Sequence, residues 1–196
     1  DKVNLPDATA HGLAIARTTG ANKTGVAEMA LMMMLAAGRQ VMLNRKTVAS
    51  GVWEKNIGSE LLGKKVGILG FGNIGVTLAK LLQGFDCEIV AYDVYPNEAA
   101  AKELGVRFTD LDEIISTCDA ISVHLPYTKE TDHIINKAAF DKMKKTAIIV
   151  CTARGNIIDE DALYEALTTG KIAGAGLDVY ATEPLSADSP LIGLDN

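Results

Sequence analysis

The feature that most constrains this sequence is a glycine-rich loop that joins a strand pattern to a helix pattern. Residues 65–69 form a short strand-like run, apolar after Lys65, that leads directly into the segment GFGNIG at residues 70–75. Apolar residues then recur at the spacing of one helical face until Gly84, where we predict that the helix ends. A strand, a glycine turn and a helix in this order form the first unit of a crossover fold with parallel strands.

Each glycine of this loop has its own physical reason. Gly70 permits a tight turn after the strand, Gly72 lets a ligand approach bare backbone, and Gly75 lets the helix pack closely on the strand. The amide groups at the start of the helix carry a partial positive charge, so the loop suits a pyrophosphate. An ordinary turn is the alternative interpretation of the glycine pattern taken alone.

Asp93 makes the glycine pattern more specific. It directly follows the predicted strand at residues 88–92 and lies 18 residues after Gly75, where a carboxylate would accept the two hydroxyls of an adenosine ribose. Residues 94–96 contain no arginine that would hold a 2′-phosphate, so the pattern predicts NAD rather than NADP. The alternative for Asp93 alone is a solvated acid at the end of a strand.

The rest of the chain continues the alternation of strands and helices. Strand-like runs without polar alternation lie at residues 66–69, 88–92, 106–108, 120–123, 147–150 and 173–177. Such runs are typical of parallel strands that are buried on both faces. We therefore predict an α/β fold of the Rossmann type, a doubly wound parallel sheet with helices on both faces.

The beginning of the chain fits this pattern less well. Residues 13–18 predict one short strand, and residues 1–20 are too few to form a domain. We expect residues 1–20 to be the remnant of a junction with a second domain, and residues 21–196 to form the cofactor domain. A long helix at about residues 23–48, capped by Thr24, would link the two.

Composition and charge exclude several classes of protein. The 196 residues carry a formal net charge of −6 and no basic run, which argues against binding of nucleic acid or anionic membranes. The most apolar window, residues 26–37, is shorter than the roughly 20 residues of a membrane span. No signal or transit peptide is readable, no metal site is predicted, and the three cysteines are interpreted as buried thiols. These observations predict a cytoplasmic protein whose partner is a small molecule.

Ordered motifs along the whole chain resemble the D-isomer-specific 2-hydroxyacid dehydrogenases. Besides the glycine loop they are VAE at 26–28, GVW at 51–53, VHLP at 123–126, TARG at 152–155, IDE at 158–160, GLDV at 176–179 and EP at 183–184. The resemblance implies hydride transfer between NAD and a D-2-hydroxy acid or 2-keto acid. It also implies a substrate domain that is largely absent from these 196 residues.

Two matched residues have catalytic roles in that family. The resemblance implies that Arg154 binds the substrate carboxylate and polarises the reacting oxygen, a role that suits a planar guanidinium at the carboxyl edge of a sheet. It implies that Glu183 hydrogen-bonds a catalytic histidine, fixing its tautomer and raising its pKa. A structural ion pair for Arg154 and a surface turn for Glu183 are the alternatives.

Further matched positions are implied to contact the cofactor. Asp178 would accept the nicotinamide carboxamide, with a turn-forming role as a serious alternative. The resemblance assigns the remaining cofactor contacts to Thr18, Asn73, Ile74, His124, Leu125, Thr152 and Ala153. Together with the three glycines and Asp93, these residues form the predicted NAD site.

The sequence departs from the family pattern at three positions. Cys151 stands in place of the usual asparagine, directly beside the ring-contacting segment. Met29 replaces a frequent histidine and Tyr127 replaces the usual leucine. We interpret these two as packing changes.

The catalytic histidine of the family follows the glutamate in sequence. All three histidines of this chain, at positions 11, 124 and 133, precede Glu183. We therefore expect the 196 residues to bind NAD and to turn over little or no substrate.

Other functions are compatible with the same motifs. The C-terminal binding protein corepressors resemble this family too, so an NAD-sensing interaction module is the alternative function. A structural fragment with a vestigial glycine loop is a third possibility. The resemblance also implies a homodimer through the cofactor domain, and the helix at residues 23–48, which is apolar on nearly every face in its first half, agrees with it.

Overall fold

The computed structural model describes residues 3–196, which contain one six-stranded sheet. Its strands are β1 (Lys65–Leu69), β2 (Glu88–Tyr92), β3 (Arg107–Phe108), β4 (Ala120–Val123), β5 (Ile148–Cys151) and β6 (Gly174–Leu177). All neighbouring strands are parallel, in the order β3-β2-β1-β4-β5-β6. The first three strands therefore extend the sheet from β1 toward one edge, and the last three extend it from β4 toward the opposite edge.

Helices connect the strands and precede the first one. They are α1 (Leu5–Ala10), α2 (Lys23–Gly38), α3 (Val41–Ala49), α4 (Asn73–Leu82), α5 (Glu98–Leu104), α6 (Leu111–Thr117), α7 (Lys137–Lys142) and α8 (Glu160–Thr168). Side chains of Asn97, Asp110, Asn136 and Asp159 accept a main-chain N–H in the first turn of α5 to α8. These caps fix where each helix begins.

The sheet is buried on both faces, since successive side chains of a strand point to opposite sides. In β1, Ile68 belongs to the apolar cluster that includes residues of α2, α4 and α5, whereas Leu69 belongs to the cluster of α6, α7 and α8. Both side chains are fully buried. The predicted doubly wound fold is confirmed, and the bounds of the six strands differ from the predicted runs by at most one residue.

The predicted strand at residues 13–18 is wrong. These residues are exposed and have no strand partner, so nothing completes the main-chain hydrogen bonds that a strand requires. The sequence analysis also missed α1, which begins at Leu5 because the side chain of the preceding Asn4 accepts the N–H of Asp7. Pro6 in the first turn suits this position, since its missing N–H costs nothing there.

The predicted helix at residues 23–48 is broken into α2 and α3, and Asn22 rather than Thr24 occupies the capping position. The break lies at Gln40, which adopts the left-handed conformation with φ of +52°. Ser59 donates its N–H to the carbonyl of Gly38 at 2.7 Å, so a passing segment takes the carbonyl that a continued helix would use.

No single helix among residues 3–196 combines the length and apolarity of a membrane span; α2 and α3 reach both only when joined across a 58° bend.

Candidate functional site

The candidate site lies at the carboxyl ends of β1 and β4, the two central strands between which the strand order reverses. Gly70 donates its N–H to the carbonyl of Tyr92 at 2.8 Å, and His124 donates its N–H to that of Leu69 at 2.7 Å. The loops after the two strands therefore leave the sheet beside each other. In open α/β sheets such a crevice is the usual place for a ligand.

The three glycines of the loop meet different surroundings. Gly70 has φ of +97°, and a Cβ there would lie 2.7 Å from the carbonyl carbon of His124. A Cβ on Gly75 would overlap the carbonyl oxygen of Gly70, so α4 packs directly on the turn. A Cβ on Gly72 would meet no atom within 4 Å. Gly70 and Gly75 are therefore required by the fold, whereas Gly72 leaves open space at the start of α4.

Asp93 lies beside this loop. One carboxylate oxygen, Oδ2, accepts the N–H of Phe71 at 2.6 Å, and Oδ1 accepts the N–H of Tyr95 at 2.9 Å. The side chain is partly buried and points back to the glycine loop. An acid at the end of β2 is thus fixed against the main chain of the glycine loop, at the residue before Gly72.

A cavity of about 630 Å³ opens next to the loop, and we call it the site cavity. It is lined by Asn22, Val26, Ile74, His124, Leu125, Pro126, Tyr127, Thr152, Ala153 and Arg154. Six of these ten residues were predicted from the sequence: Ile74, His124, Leu125, Thr152, Ala153 and Arg154. The cavity therefore brings together residues that follow β4 and β5 with the first turn of α4.

The other predicted residues do not line the site cavity. Asn73 begins α4, and its side chain lies 3.1 Å from where a Cβ of Gly20 would be, so the turn after Thr18 passes close to the loop. Asp178 is exposed and donates its N–H to the carbonyl of Cys151 at 3.0 Å. Glu183 is exposed on the same segment after β6.

His124 is held between neutral partners at the floor of the site. Its Nε2 lies 2.9 Å from Oγ of Ser122, and its Nδ1 lies 3.3 Å from Oγ1 of Thr152. Both hydroxyls belong to buried residues. Burial lowers the pKa of His124 to about 4, so the ring is neutral at neutral pH.

Arg154 and Glu183 lie on two loops that touch each other. Arg154 Nη1 donates to the carbonyl of Ala153 at 2.6 Å. Glu183 Oε1 accepts the N–H of Tyr180 at 3.2 Å. A Cβ on Gly155 would overlap the carbonyl of Tyr180, so the residue after Arg154 packs against the segment that leads to Glu183.

The sequence analysis missed four residues that line the site cavity: Asn22, Val26, Pro126 and Tyr127. Val26 and Pro126 belong to motifs that were recognised, but no role was assigned to them. The interpretation of Tyr127 as a packing change is wrong, because the residue lines the site cavity, is 48% exposed and donates its hydroxyl to Asp132 at 3.0 Å.

Cys151 is buried directly before Thr152, and its Sγ lies 3.6 Å from the carbonyl oxygen of Arg154. Burial raises the pKa of this thiol. The side chain therefore packs beneath the loop that carries Arg154 and does not line the site cavity.

The residues present fit a dinucleotide. The open backbone at Gly72 suits a pyrophosphate at the start of α4, the fixed carboxylate of Asp93 suits a ribose, and the site cavity has a volume typical of ligand sites. Fold and site together define a dinucleotide-binding protein of the doubly wound α/β class.

Comparison with known proteins narrows this class. The profile described as "D-isomer specific 2-hydroxyacid dehydrogenase, NAD binding domain" matches residues 31–196. The chain belongs to this family, and NAD is the cofactor of the domain that it forms.

Relatives are similar over the whole chain. D-3-phosphoglycerate dehydrogenase of Archaeoglobus fulgidus is 41% identical over 198 residues, which cover 100% of this chain and 38% of that protein. Hydroxypyruvate reductase of Thermotoga maritima is 42% identical over 100% of this chain and 64% of its own length. The crystal structure of D-lactate dehydrogenase from Aquifex aeolicus, complexed with NAD and lactic acid, matches 92% of this chain and 55% of that chain at 33% identity with a TM-score of 0.83. The chain thus spans only part of the length of these relatives.

Proposed function

We propose that this chain is the cofactor half of an oxidoreductase that transfers a hydride between NAD and a D-2-hydroxy acid or the matching 2-keto acid. The observation that carries the proposal is that Arg154 lines the same cavity as His124, Thr152 and Ala153. A planar guanidinium at that position suits a carboxylate, which it can bind with two parallel hydrogen bonds. The names of the relatives, which include D-lactate dehydrogenase and hydroxypyruvate reductase, support the same substrate class.

The residues of the chain divide the work. Bound NAD would supply the hydride acceptor. In the proposal, the glycine loop and Asp93 hold the cofactor, Thr152, Ala153 and Asp178 contact its ring, and Arg154 orients the substrate. Glu183 would act through a histidine base, which removes the hydroxyl proton as the hydride leaves.

We propose that turnover needs residues beyond this cofactor half. Relatives with the same domain are longer than this chain, and none of its histidines follows Glu183. In this division, residues 1–20 are the junction with a substrate domain and residues 21–196 form the NAD-binding domain. Losing a positioned base alone should slow the reaction by about 10² to 10⁴.

Two measurements on the 196-residue chain test the proposal. Calorimetric titration with NAD should show saturable binding, and an assay of NADH formation with D-lactate, D-glycerate and D-3-phosphoglycerate should show little or no turnover. The variant Arg154→Gln should keep the NAD affinity, since the guanidinium is assigned to the substrate. Absence of NAD binding would overturn the function, whereas appreciable turnover would overturn only the need for an additional base.

A homodimer through the cofactor domain is part of the proposal. Leu31, Met32, Leu35, Val41 and Leu81 line an almost wholly apolar groove along α2, with Met32 half exposed. The groove also includes the oppositely charged Glu28 and Arg39, which lie three turns apart, in α2 and at its C-terminal cap. A two-fold interface would place Glu28 of one copy near Arg39 of the second copy. Sedimentation should show a dimer at micromolar concentration, and Met32→Glu should shift it to monomer. A wild-type chain that sediments only as monomer would contradict this.

A reducing location such as the cytoplasm is also proposed. Cys87, Cys118 and Cys151 are all unpaired, and Cys118 and Cys151 are buried. Unpaired thiols of this kind are typical of proteins in reducing compartments.

A further inference from the structure

We propose that Glu160 is a positioning residue of the active site. Through the main chain of Ala181 it fixes the segment that carries Glu183 relative to Arg154. The inference rests on the proposed function, since it concerns how the two predicted catalytic residues are held at a constant separation.

The first observation is a direct contact between two loops. Glu160 is the first residue of α8 and directly follows the loop between β5 and α8, which contains Arg154. Its Oε1 accepts the N–H of Ala181 at 2.6 Å, across 21 residues of sequence. A carboxylate acceptor at this short distance makes a stronger hydrogen bond than a neutral one. The contact therefore joins the loop after β5 to the segment after β6.

The second observation is that the peptide between Tyr180 and Ala181 also packs against Gly155. A Cβ on Gly155 would overlap the Tyr180 carbonyl and the Ala181 nitrogen, so the two main chains touch. Gly155 directly follows Arg154. The arginine and this peptide therefore cannot separate without breaking a main-chain contact.

The third observation concerns Glu183 itself. The N–H of Tyr180 donates to Glu183 Oε1 at 3.2 Å, and the next N–H, that of Ala181, donates to Glu160. Two consecutive amides thus bind two glutamates, one assigned to catalysis and one on the scaffold. Without Glu160, the amide of Ala181 loses its acceptor and the turn that holds Glu183 loses an anchor.

A plain helix-capping role would be the competing explanation for Glu160. An acid in the first turn of a helix stabilises it through the helix dipole, wherever else the side chain points. Asp161 lies in the same first turn and is exposed, so Asp161→Ala is a matched control for that effect. Glu160→Gln keeps an acceptor oxygen at the same reach, whereas Glu160→Ala removes it.

The contact is tested first on the 196-residue chain by hydrogen exchange of individual amides. In Glu160→Ala the amide of Ala181 should exchange about tenfold faster or more, because its acceptor is lost. Glu160→Gln should restore most of the protection, Asp161→Ala should leave it unchanged, and the NAD affinity should be the same in all four chains. Equal exchange at Ala181 in wild type and Glu160→Ala would overturn the proposal.

The catalytic consequence is tested in the complete enzyme with a D-2-hydroxy acid. Glu160→Ala should lower kcat about tenfold without changing KM for NAD, and Glu160→Gln should recover most of it. In the pH profile of kcat/KM, the acidic limb should move to lower pH. A displaced Glu183 would raise the pKa of the histidine base less than a correctly held one does. An acidic limb at the wild-type pH, with equal losses of kcat in Glu160→Ala and Asp161→Ala, would show that Glu160 only stabilises the helix.

Failure of the chain to bind NAD would refute the proposed function. It would not refute the contact between the loops, which the exchange measurement decides alone.

Discussion

The carboxylate of Asp93 accepts the main-chain N–H of Phe71 at 2.6 Å, and this contact joins the end of β2 to the glycine loop. The same side chain accepts the N–H of Tyr95 at 2.9 Å. Both carboxylate oxygens are therefore oriented by the protein main chain. An acid that is already fixed in this way loses little conformational entropy when it binds a ribose.

Replacing Asp93 by asparagine should weaken NAD binding about tenfold or more, since a charged acceptor becomes a neutral one. Calorimetric titration of the two chains measures the change. Asp86→Asn is the matched control: it removes the same charge from an exposed residue in the left-handed conformation, which asparagine tolerates. Equal affinity in Asp93→Asn and wild type would remove Asp93 from the site.

The glycines of the loop should separate stability from binding. Gly72→Ala should leave the free energy of unfolding nearly unchanged, because the new methyl group meets no atom within 4 Å, yet it should weaken NAD binding by occupying the open space. Gly75→Ala should lower the free energy of unfolding by about 1–3 kcal/mol, because its methyl group overlaps the Gly70 carbonyl. Urea denaturation and calorimetry of both variants check this. A destabilised Gly72→Ala chain would contradict the assignment.

Gly155→Ala should disturb the contact between the loop that carries Arg154 and the segment that carries Glu183. Its methyl group would overlap the main chain of Tyr180 and Ala181, which must shift. We expect a loss of about 1–3 kcal/mol in the free energy of unfolding, and a much lower kcat in the complete enzyme with unchanged NAD affinity. Gly84→Ala, where a methyl group meets nothing within 4 Å, is the control. Unchanged stability and kcat in Gly155→Ala would show that the loops can part freely.

His124 should make the stability depend on pH. Its pKa is lowered from 6.5 to about 4 by burial, so below pH 6.5 the unfolded chain takes up a proton that the folded chain resists. The contribution of His124 is fully present above that pH and is lost as the pH falls toward about 4. Urea denaturation between pH 7.5 and 5 should show a steeper decline in wild type than in His124→Gln.

The control for this pH dependence is His133→Gln, whose side chain is 48% exposed. It should retain the steep decline of the wild type. An identical pH dependence in wild type and His124→Gln would mean that other groups set the acid sensitivity.

The sequence by itself determined the sheet, its direction and the cofactor loop. Six mainly apolar runs predict strands covered on both faces, and Gly70 and Gly75 after the first run permit a tight turn and a close helix contact that a side chain would obstruct. These properties are local, since they depend on which side chains follow one another. The same is true of Asp93, which directly follows the second run.

Only the tertiary structure decided how distant segments meet. Nothing near Gln40 in sequence predicts that Ser59 takes the carbonyl of Gly38 and so divides the long helix. The contact of Glu160 with Ala181 and the exposure of Tyr127 in the cavity likewise depend on loops separated in sequence. A hydrogen bond between residues remote in sequence forms where the packed sheet brings them together. The periodicity of apolar residues predicts local secondary structure and does not predict the distance between such residues.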